Sequence, residues 1–237
     1  HLVIFIKKKI AKYSVSKLPI VCVGNIYIGG TGKTPLTILI ANKLKSLGKR
    51  PVIVRKFYKG HNDEYGLIKD NYKALILNTN RLEGIRKAEN SNFDSVILDD
   101  GFQDLSIHKN FSIICFNSNQ LLGNGLVLPS GPLRDNLNSL KNAHAILING
   151  EKNINFENKI LGINNNLEFF YSYYKPINIE EFVNKNLLAV AGIGNPDNFF
   201  KLLVKSNLNI KKKIIYPDHY IFTKNEILNI VNEAHEK

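Results

Sequence analysis

The chain has 237 residues, enough to bury a full core in one large or two small domains. An apolar fraction of 44% with 10% aromatics excludes a disordered or low-complexity chain. The net charge of +12 suits an anionic partner, whether phosphorylated ligand, membrane surface or nucleic acid, although the shared abundance of Lys, Asn and Ile fits a general compositional bias equally well.

The chain opens on His1 and contains no Met, so a preceding leader is expected. Leu2 to Ile6 are apolar and meet Lys7-Lys8-Lys9, a run far too short to span a bilayer. It reads either as the end of a membrane-associated segment or as the start of an amphipathic helix. Residues 19–23 predict a first strand, 33–47 a helix closed by Gly48, and 51–55 a second strand. Residues 56–72 are polar, hold Gly60 and Gly66, and read as a long loop. A short strand over 74–77, a helix over 81–89 and a strand over 95–98 follow, the last running into Asp99-Asp100-Gly101. Residues 111–116 and 145–148 read as strands, separated by a Gly/Pro-punctuated loop over 123–134 and a short helix over 137–142.

After Gly150 the chain becomes Asn- and aromatic-rich, and 151–180 reads as short antiparallel strands. Residues 187–191 form a strong strand, Asn195-Pro196 opens a helix, 210–216 is a strand, and Thr223-x-x-Glu226 is a capping box before a last helix. Strands alternating with helices define the class: α/β, a P-loop NTPase-like, mostly parallel sheet flanked by helices, with a smaller C-terminal α/β lobe. The expected division is a nucleotide-binding lobe over 1–150 and a smaller lobe over 151–237. Cys22 and Cys115 each sit in an apolar strand run with no Cys-x-x-Cys, which points to buried thiols in a reducing compartment and to no metal site.

The strongest chemical signal is the first strand followed by Gly29-Gly30-Thr31-Gly32-Lys33-Thr34-Pro35. A buried strand, a Gly-rich turn and a helix start form the layout that cradles nucleotide phosphates. The loop from Ile28 to Pro35 is the expected cofactor-binding segment: its backbone N–H groups, of which Pro35 has none, face the anion, Lys33 adds a point charge, and Thr34 offers a hydroxyl to Mg²⁺. The strict pattern places Gly where Tyr27 stands, so this is a variant P-loop.

Asp99-Asp100-Gly101 ends a hydrophobic strand at the sheet edge where ligands bind. One of the two Asp residues is expected to face a metal, since neighbours on an extended chain point apart. A strand-terminating Asp-Gly pair is the alternative. Asp63-Glu64 falls in the expected loop and alone reads as a solvated charge pair. His219, in Pro217-Asp218-His219-Tyr220, suits a base, an orienter or a phosphate ligand, or else a turn residue beside a capping Asp. Pro129 to Arg134 is a rigid loop presenting Arg134 to a phosphate or carboxylate, or simply a Pro/Gly loop. Gly192-Ile193-Gly194 lacks a third glycine and signals no second nucleotide site.

Together, Val23-Gly24-Asn25, the stretch from Gly29 to Pro35, Asp63-Glu64, Asn80-Arg81, Ile97 to Gln103, Gly131 to Arg134, Ala189 to Pro196 and Pro217-Asp218-His219 resemble the tetraacyldisaccharide 4′-kinases of lipid A synthesis. The resemblance runs from about residue 18 to the end. It implies an ATP- and Mg²⁺-dependent kinase at the cytoplasmic face of a bacterial inner membrane, peripheral or N-terminally anchored. Its acceptor would be the 4′-hydroxyl of an acylated glucosamine disaccharide 1-phosphate, an anionic lipid, and the protein a monomer that binds no nucleic acid. By the same resemblance, Asp63 would accept the 4′-hydroxyl proton and His219 would orient it. Thr34, Glu64 and Asp99 would hold the metal, Asp99 and Asp100 would serve the reaction, and Asn25, Gln103 and Arg134 would face substrate. The chain departs from the family's usual residues at Arg55-Lys56-Phe57-Tyr58, for Ser-Arg-Gly-Tyr, at Asn62, for Gly, and at Asp104 and Tyr220, each for His. Two rivals from other classes are a P-loop switch ATPase without a lipid acceptor, expected to dimerise with ATP, and a basic nucleic-acid module. Scattered lysines without an aromatic-basic stripe weigh against the second.

Overall fold

β-branched runs at regular intervals dictate the sheet. β1 (Ile20–Gly24), β2 (Pro51–Lys56), β3 (Leu75–Asn78), β4 (Ser95–Asp99), β5 (Phe111–Asn117), β6 (Ala145–Asn149) and β7 (Glu168–Ser172) align in the order β3-β2-β4-β1-β5-β6-β7. Every neighbouring pair is parallel. The computed structural model describes residues 14–218 and 220–235. The apolar segment near the N-terminus and His219 therefore lie outside the described residues.

Parallel strands buried on both faces read as continuous apolar runs, as β1 and β4 do. Alternation sends their side chains to two cores. Val23, Ile53, Ile97 and Cys115 pack on one face with α1 (Lys33–Ser46) and α2 (Asn62–Asn71). Cys22, Val52, Val54, Val96, Leu98 and Ile114 pack on the other with α3 (Arg81–Glu89). Each fully buried aliphatic side chain contributes about 1.5–3 kcal/mol from apolar area removed from water. Both cysteines are buried thiols, and that burial pushes each pKa up to about 12.

Three sequence expectations need correction here. Residues 62–71 are helix α2, not loop. Tyr65, Ile68 and Tyr72, at helical spacing, are buried, and Asp63 and Glu64 lie in the first turn, where carboxylates favour the helix dipole. Residues 151–172 hold α4 (Ile154–Leu161) and the parallel strand β7, not antiparallel strands. Asn153 caps α4 by accepting from Phe156 N at 2.9 Å, and Phe156 and Ile160 anchor it one turn apart. Because β7 completes the large sheet, the boundary between the two compact units falls at Ser172/Tyr173, later than expected near residue 150.

The second unit is built on β8 (Asn186–Ala191), α5 (Pro196–Lys205) and β9 (Asn209–Ile215), a parallel βαβ element, followed by α6 (Lys224–His235). Asn195 caps α5, and Ala189, Ala191 and Phe200 form its core. The capping box forms as read: Thr223 N donates to Glu226 Oε2 at 2.8 Å, and Glu226 N donates to Thr223 Oγ1 at 3.3 Å.

Candidate active site

In the sheet order the winding turns both ways from β1, and the carboxyl ends of β1 and β4 meet there. Open parallel sheets bind ligands at such a point. The P-loop leaves β1 and enters α1 through Gly32, whose φ of 87° places it in the left-handed region; Gly29 has φ 102°. Both positions favour glycine for that reason. Gly24 is set by contact instead, since a Cβ there would lie 2.5 Å from Phe102 Cβ.

The loop is braced from three sides. Asn25 is fully buried, and its Nδ2 donates to Thr31 Oγ1 at 2.9 Å and Gly29 O at 3.4 Å. Gln103 Nε2 donates to Asn25 O at 2.6 Å. The expectation that Asn25 touches substrate is thus replaced by an internal brace, because a side chain with no exposed surface reaches no ligand in this conformation. Tyr27, in the place of the usual glycine, bridges Leu133 and packs on the core. Ile28 N donates to Pro132 O at 2.9 Å and Arg134 N to Ile26 O at 2.7 Å. The Pro/Gly loop is therefore strapped to the P-loop, and Arg134 arrives at the site through that strap.

Asp99 and Asp100 point apart. Asp100 adopts φ 55°, which turns its side chain away from that of Asp99. Asp99 is completely buried, with Oδ1 accepting from Thr37 Oγ1 at 3.1 Å and Oδ2 from Thr34 Oγ1 at 3.3 Å and from Arg55 Nη1. Asp100 faces the other way, toward Lys33 Nζ at 3.7 Å and Arg134 Nη1 at 3.0 and 3.2 Å. Burial alone would push the Asp100 carboxyl up; the Lys33 and Arg134 charges, with Arg134's hydrogen bond, bring it below the usual carboxylate range. Lys33 moves down as well, because burial outweighs the attraction of Asp100.

Glu64 pairs with Arg55 and lies 3.3 Å from His61 Nδ1. Asp63, its neighbour on the first turn of α2, is exposed. The structure thus gathers Lys33, Thr34, Glu64, Asp99, Asp100 and Arg134 at one sheet edge, with Asn25 and Gln103 beneath. Two participants escaped the sequence reading. Thr37 lies one helical turn after Thr34, a spacing that puts both hydroxyls on one face. Arg55 stood out only as a departure from the family's usual residues, yet its backbone is in register with Asp99.

Among the described residues, no three His, Cys, Asp or Glu side chains converge as a metal site. The Thr34 hydroxyl and the Asp99 and Glu64 carboxylates nonetheless converge on one positive charge, Arg55. Such an all-oxygen set fits Mg²⁺, which takes one or two carboxylates and completes its shell with phosphate and water.

Residues 3–237 match the family model described as Tetraacyldisaccharide-1-P 4′-kinase. The chain belongs to this family. A Tetraacyldisaccharide 4′-kinase of Pelagibacter ubique is 41% identical over 226 residues, spanning 94% of this chain and 72% of that one. One of Francisella tularensis subsp. novicida is 32% identical over 256 residues, spanning 95% and 79%. The fold matches a crystal structure of LpxK from Aquifex aeolicus in complex with ATP, with a TM-score of 0.68 at 22% identity over 94% of this chain and 81% of that one. The α/β P-loop architecture read from sequence therefore stands.

Proposed function

We propose that this chain transfers the γ-phosphoryl group of ATP to the 4′-hydroxyl of a tetraacylated glucosamine disaccharide 1-phosphate, the kinase step of lipid A synthesis. Family membership supports the reaction. The observation that carries it to these residues is the junction of the P-loop with Asp99 and Asp100, where Thr34 and Lys33 each meet a different carboxylate.

Phosphoryl transfer needs positioning and charge neutralisation more than covalent chemistry. The loop amides and Lys33 bind the phosphates, and Lys33 exchanges Asp100 for the phosphate oxygens. Arg134, released from the same carboxylate, is placed to meet an anionic group of the acceptor. Thr34, Asp99 and Glu64 hold Mg²⁺, which when bound neutralises charge on the phosphates. Asp63 is the base for the 4′-hydroxyl proton; His219, expected to orient it, lies outside the described residues. The basic balance of the chain suits an anionic lipid at the cytoplasmic face of the inner membrane. No helix among the described residues is long and apolar enough to cross a membrane.

The test is transfer of labelled γ-phosphate from ATP to the lipid acceptor in detergent micelles by the full-length protein. Wild type labels the lipid. Lys33→Ala falls by about a thousandfold and Asp63→Ala by about a hundredfold or more, in line with losing electrostatic and general-base assistance. ATP hydrolysis without labelled lipid would overturn the reading in favour of a switch ATPase.

A further inference from the structure

Arg55 is the least expected residue at this site. It follows the apolar run Pro51–Val54 in β2, and its side chain is only 7% exposed. Its Nη1 donates to Thr34 Oγ1 at 3.1 Å and to Asp99 Oδ2, its Nη2 pairs with Glu64 Oε2, and its Cζ lies 5.7 Å from the Tyr65 ring centroid. One guanidinium thus ties three elements together: the P-loop helix, the end of β4 and the first turn of α2.

We infer that Arg55 is a tethered cation occupying the Thr34, Asp99 and Glu64 oxygens, and that these oxygens reach a divalent cation only as the guanidinium gives them up, which passes Glu64 and the first turn of α2 from Arg55 to the cation. This rests on the proposed role of those residues as metal donors. The argument is one of charge and of lone pairs. Thr34 Oγ1 already donates to Asp99 while accepting from Arg55, and Asp99 Oδ1 is taken by Thr37. A guanidinium and a divalent ion sharing one carboxylate oxygen in a dry pocket repel strongly, since low dielectric magnifies like-charge cost as much as attraction. The two cations therefore exclude each other. Arg55 is also incompletely satisfied where it sits. Its Nε is buried and finds no acceptor among the described residues, so leaving sacrifices less than a full set of hydrogen bonds.

The consequence is a link between cation loading and α2. Glu64 is held by Arg55, and Asp63, the proposed base, is its neighbour on the same turn. When Arg55 lets go, Glu64 follows the cation, and the turn that carries Asp63 is anchored on the metal side of the site instead of on β2. A metal that merely added to the present arrangement would leave α2 where it is.

The probe is Mn²⁺, followed by electron paramagnetic resonance with a non-hydrolysable ATP analogue on the full-length protein. Arg55→Met keeps the length of the side chain and removes its charge and donors. It is expected to bind Mn²⁺ at least about tenfold more tightly than wild type. Removing any nearby positive charge has some such effect, so a second measurement decides the displacement itself. In wild type, hydrogen exchange of the buried Arg55 Nε–H, followed by ¹⁵N NMR and assigned by its loss in Arg55→Lys, is expected to accelerate when Mg²⁺ is added to the analogue complex. Unchanged or slower exchange there overturns the inference, and so does equal or weaker Mn²⁺ binding by a folded Arg55→Met. Should Arg55→Met fail to fold by circular dichroism, the wild-type exchange decides alone. Labelled lipid from wild type together with either overturning result leaves the kinase reading intact and removes only the role of Arg55. Accelerated exchange without labelled lipid does the reverse.

Discussion

Asp99 and Asp100 are neighbours in sequence and opposites in environment. Asp99 lies in a dry pocket, its oxygens shared among Thr34, Thr37 and Arg55. Asp100 is 21% exposed and answers to two cations, Lys33 and Arg134, which can leave it for a phosphate. One carboxylate fixes the frame, and the other holds mobile charges ready. The left-handed turn at Asp100 creates the difference, because it stops the two side chains from sharing a pocket.

The sharpest way to break this comparison is to remove each carboxylate in turn and measure urea denaturation. Asp99→Ala leaves the Arg55 guanidinium buried with only Glu64 to balance it. Losing one partner of a buried ion pair costs about 3–5 kcal/mol. Asp100→Ala leaves Lys33 and Arg134, both partly exposed, to find water, and the expected loss is about 1 kcal/mol after allowing for solvent screening. Equal losses at the two positions would erase the distinction.

The same contrast appears against pH. The Asp100 carboxyl sits below its usual value of 3.8 in the folded protein. Between the folded and unfolded values the unfolded chain binds more protons, so stability rises with pH there. The contribution of Asp100 is present in full above the unfolded value and is lost as pH falls through the lower, folded one. Stability of wild type is therefore expected to drop more steeply below about pH 4 than that of Asp100→Asn. Parallel curves for the two proteins would show that the pairing with Lys33 and Arg134 carries no acid sensitivity.

Legibility in the sequence follows how local each signal is. The P-loop and Asp99-Asp100 are contiguous patterns whose neighbours in space are their neighbours in the chain, and both were plain. Helix α2 was hidden because Gly66 and a polar outer face mask the buried positions 65, 68 and 72. Asn-rich composition hid α4 and β7 in the same way, although Asn153 followed by Phe156 and Ile160 is an N-cap with an anchored face. The place of Arg55 depends on which residue of β4 it lies beside, and a register between strands 44 residues apart is written in no local pattern. The brace made by Asn25 was out of reach for a related reason: a buried Asn and a ligand-facing Asn look alike until the burial is known.

The smallest expected effect tests how far the Asp100 side extends. Arg81 Nη2 donates to Asp100 O at 2.5 Å and its Nη1 lies 3.6 Å from Asp104 Oδ2, so the peptide that turns Asp100 outward is gripped from α3. Arg81 is the first residue of that helix, and Asn80 caps it by accepting from Leu82 N at 2.9 Å. Asn80→Ala removes the cap and costs about 1 kcal/mol, typical of an N-cap. The first turn then frays, and Arg81 loses its fixed starting point. If the grip on Asp100 matters, the KM for ATP rises modestly in Asn80→Ala while the fold survives, because Lys33 and Arg134 are no longer held at one place before the nucleotide arrives. An unchanged KM beside the same loss of stability would confine Asn80 to capping and leave the positive φ of Asp100 to its own turn.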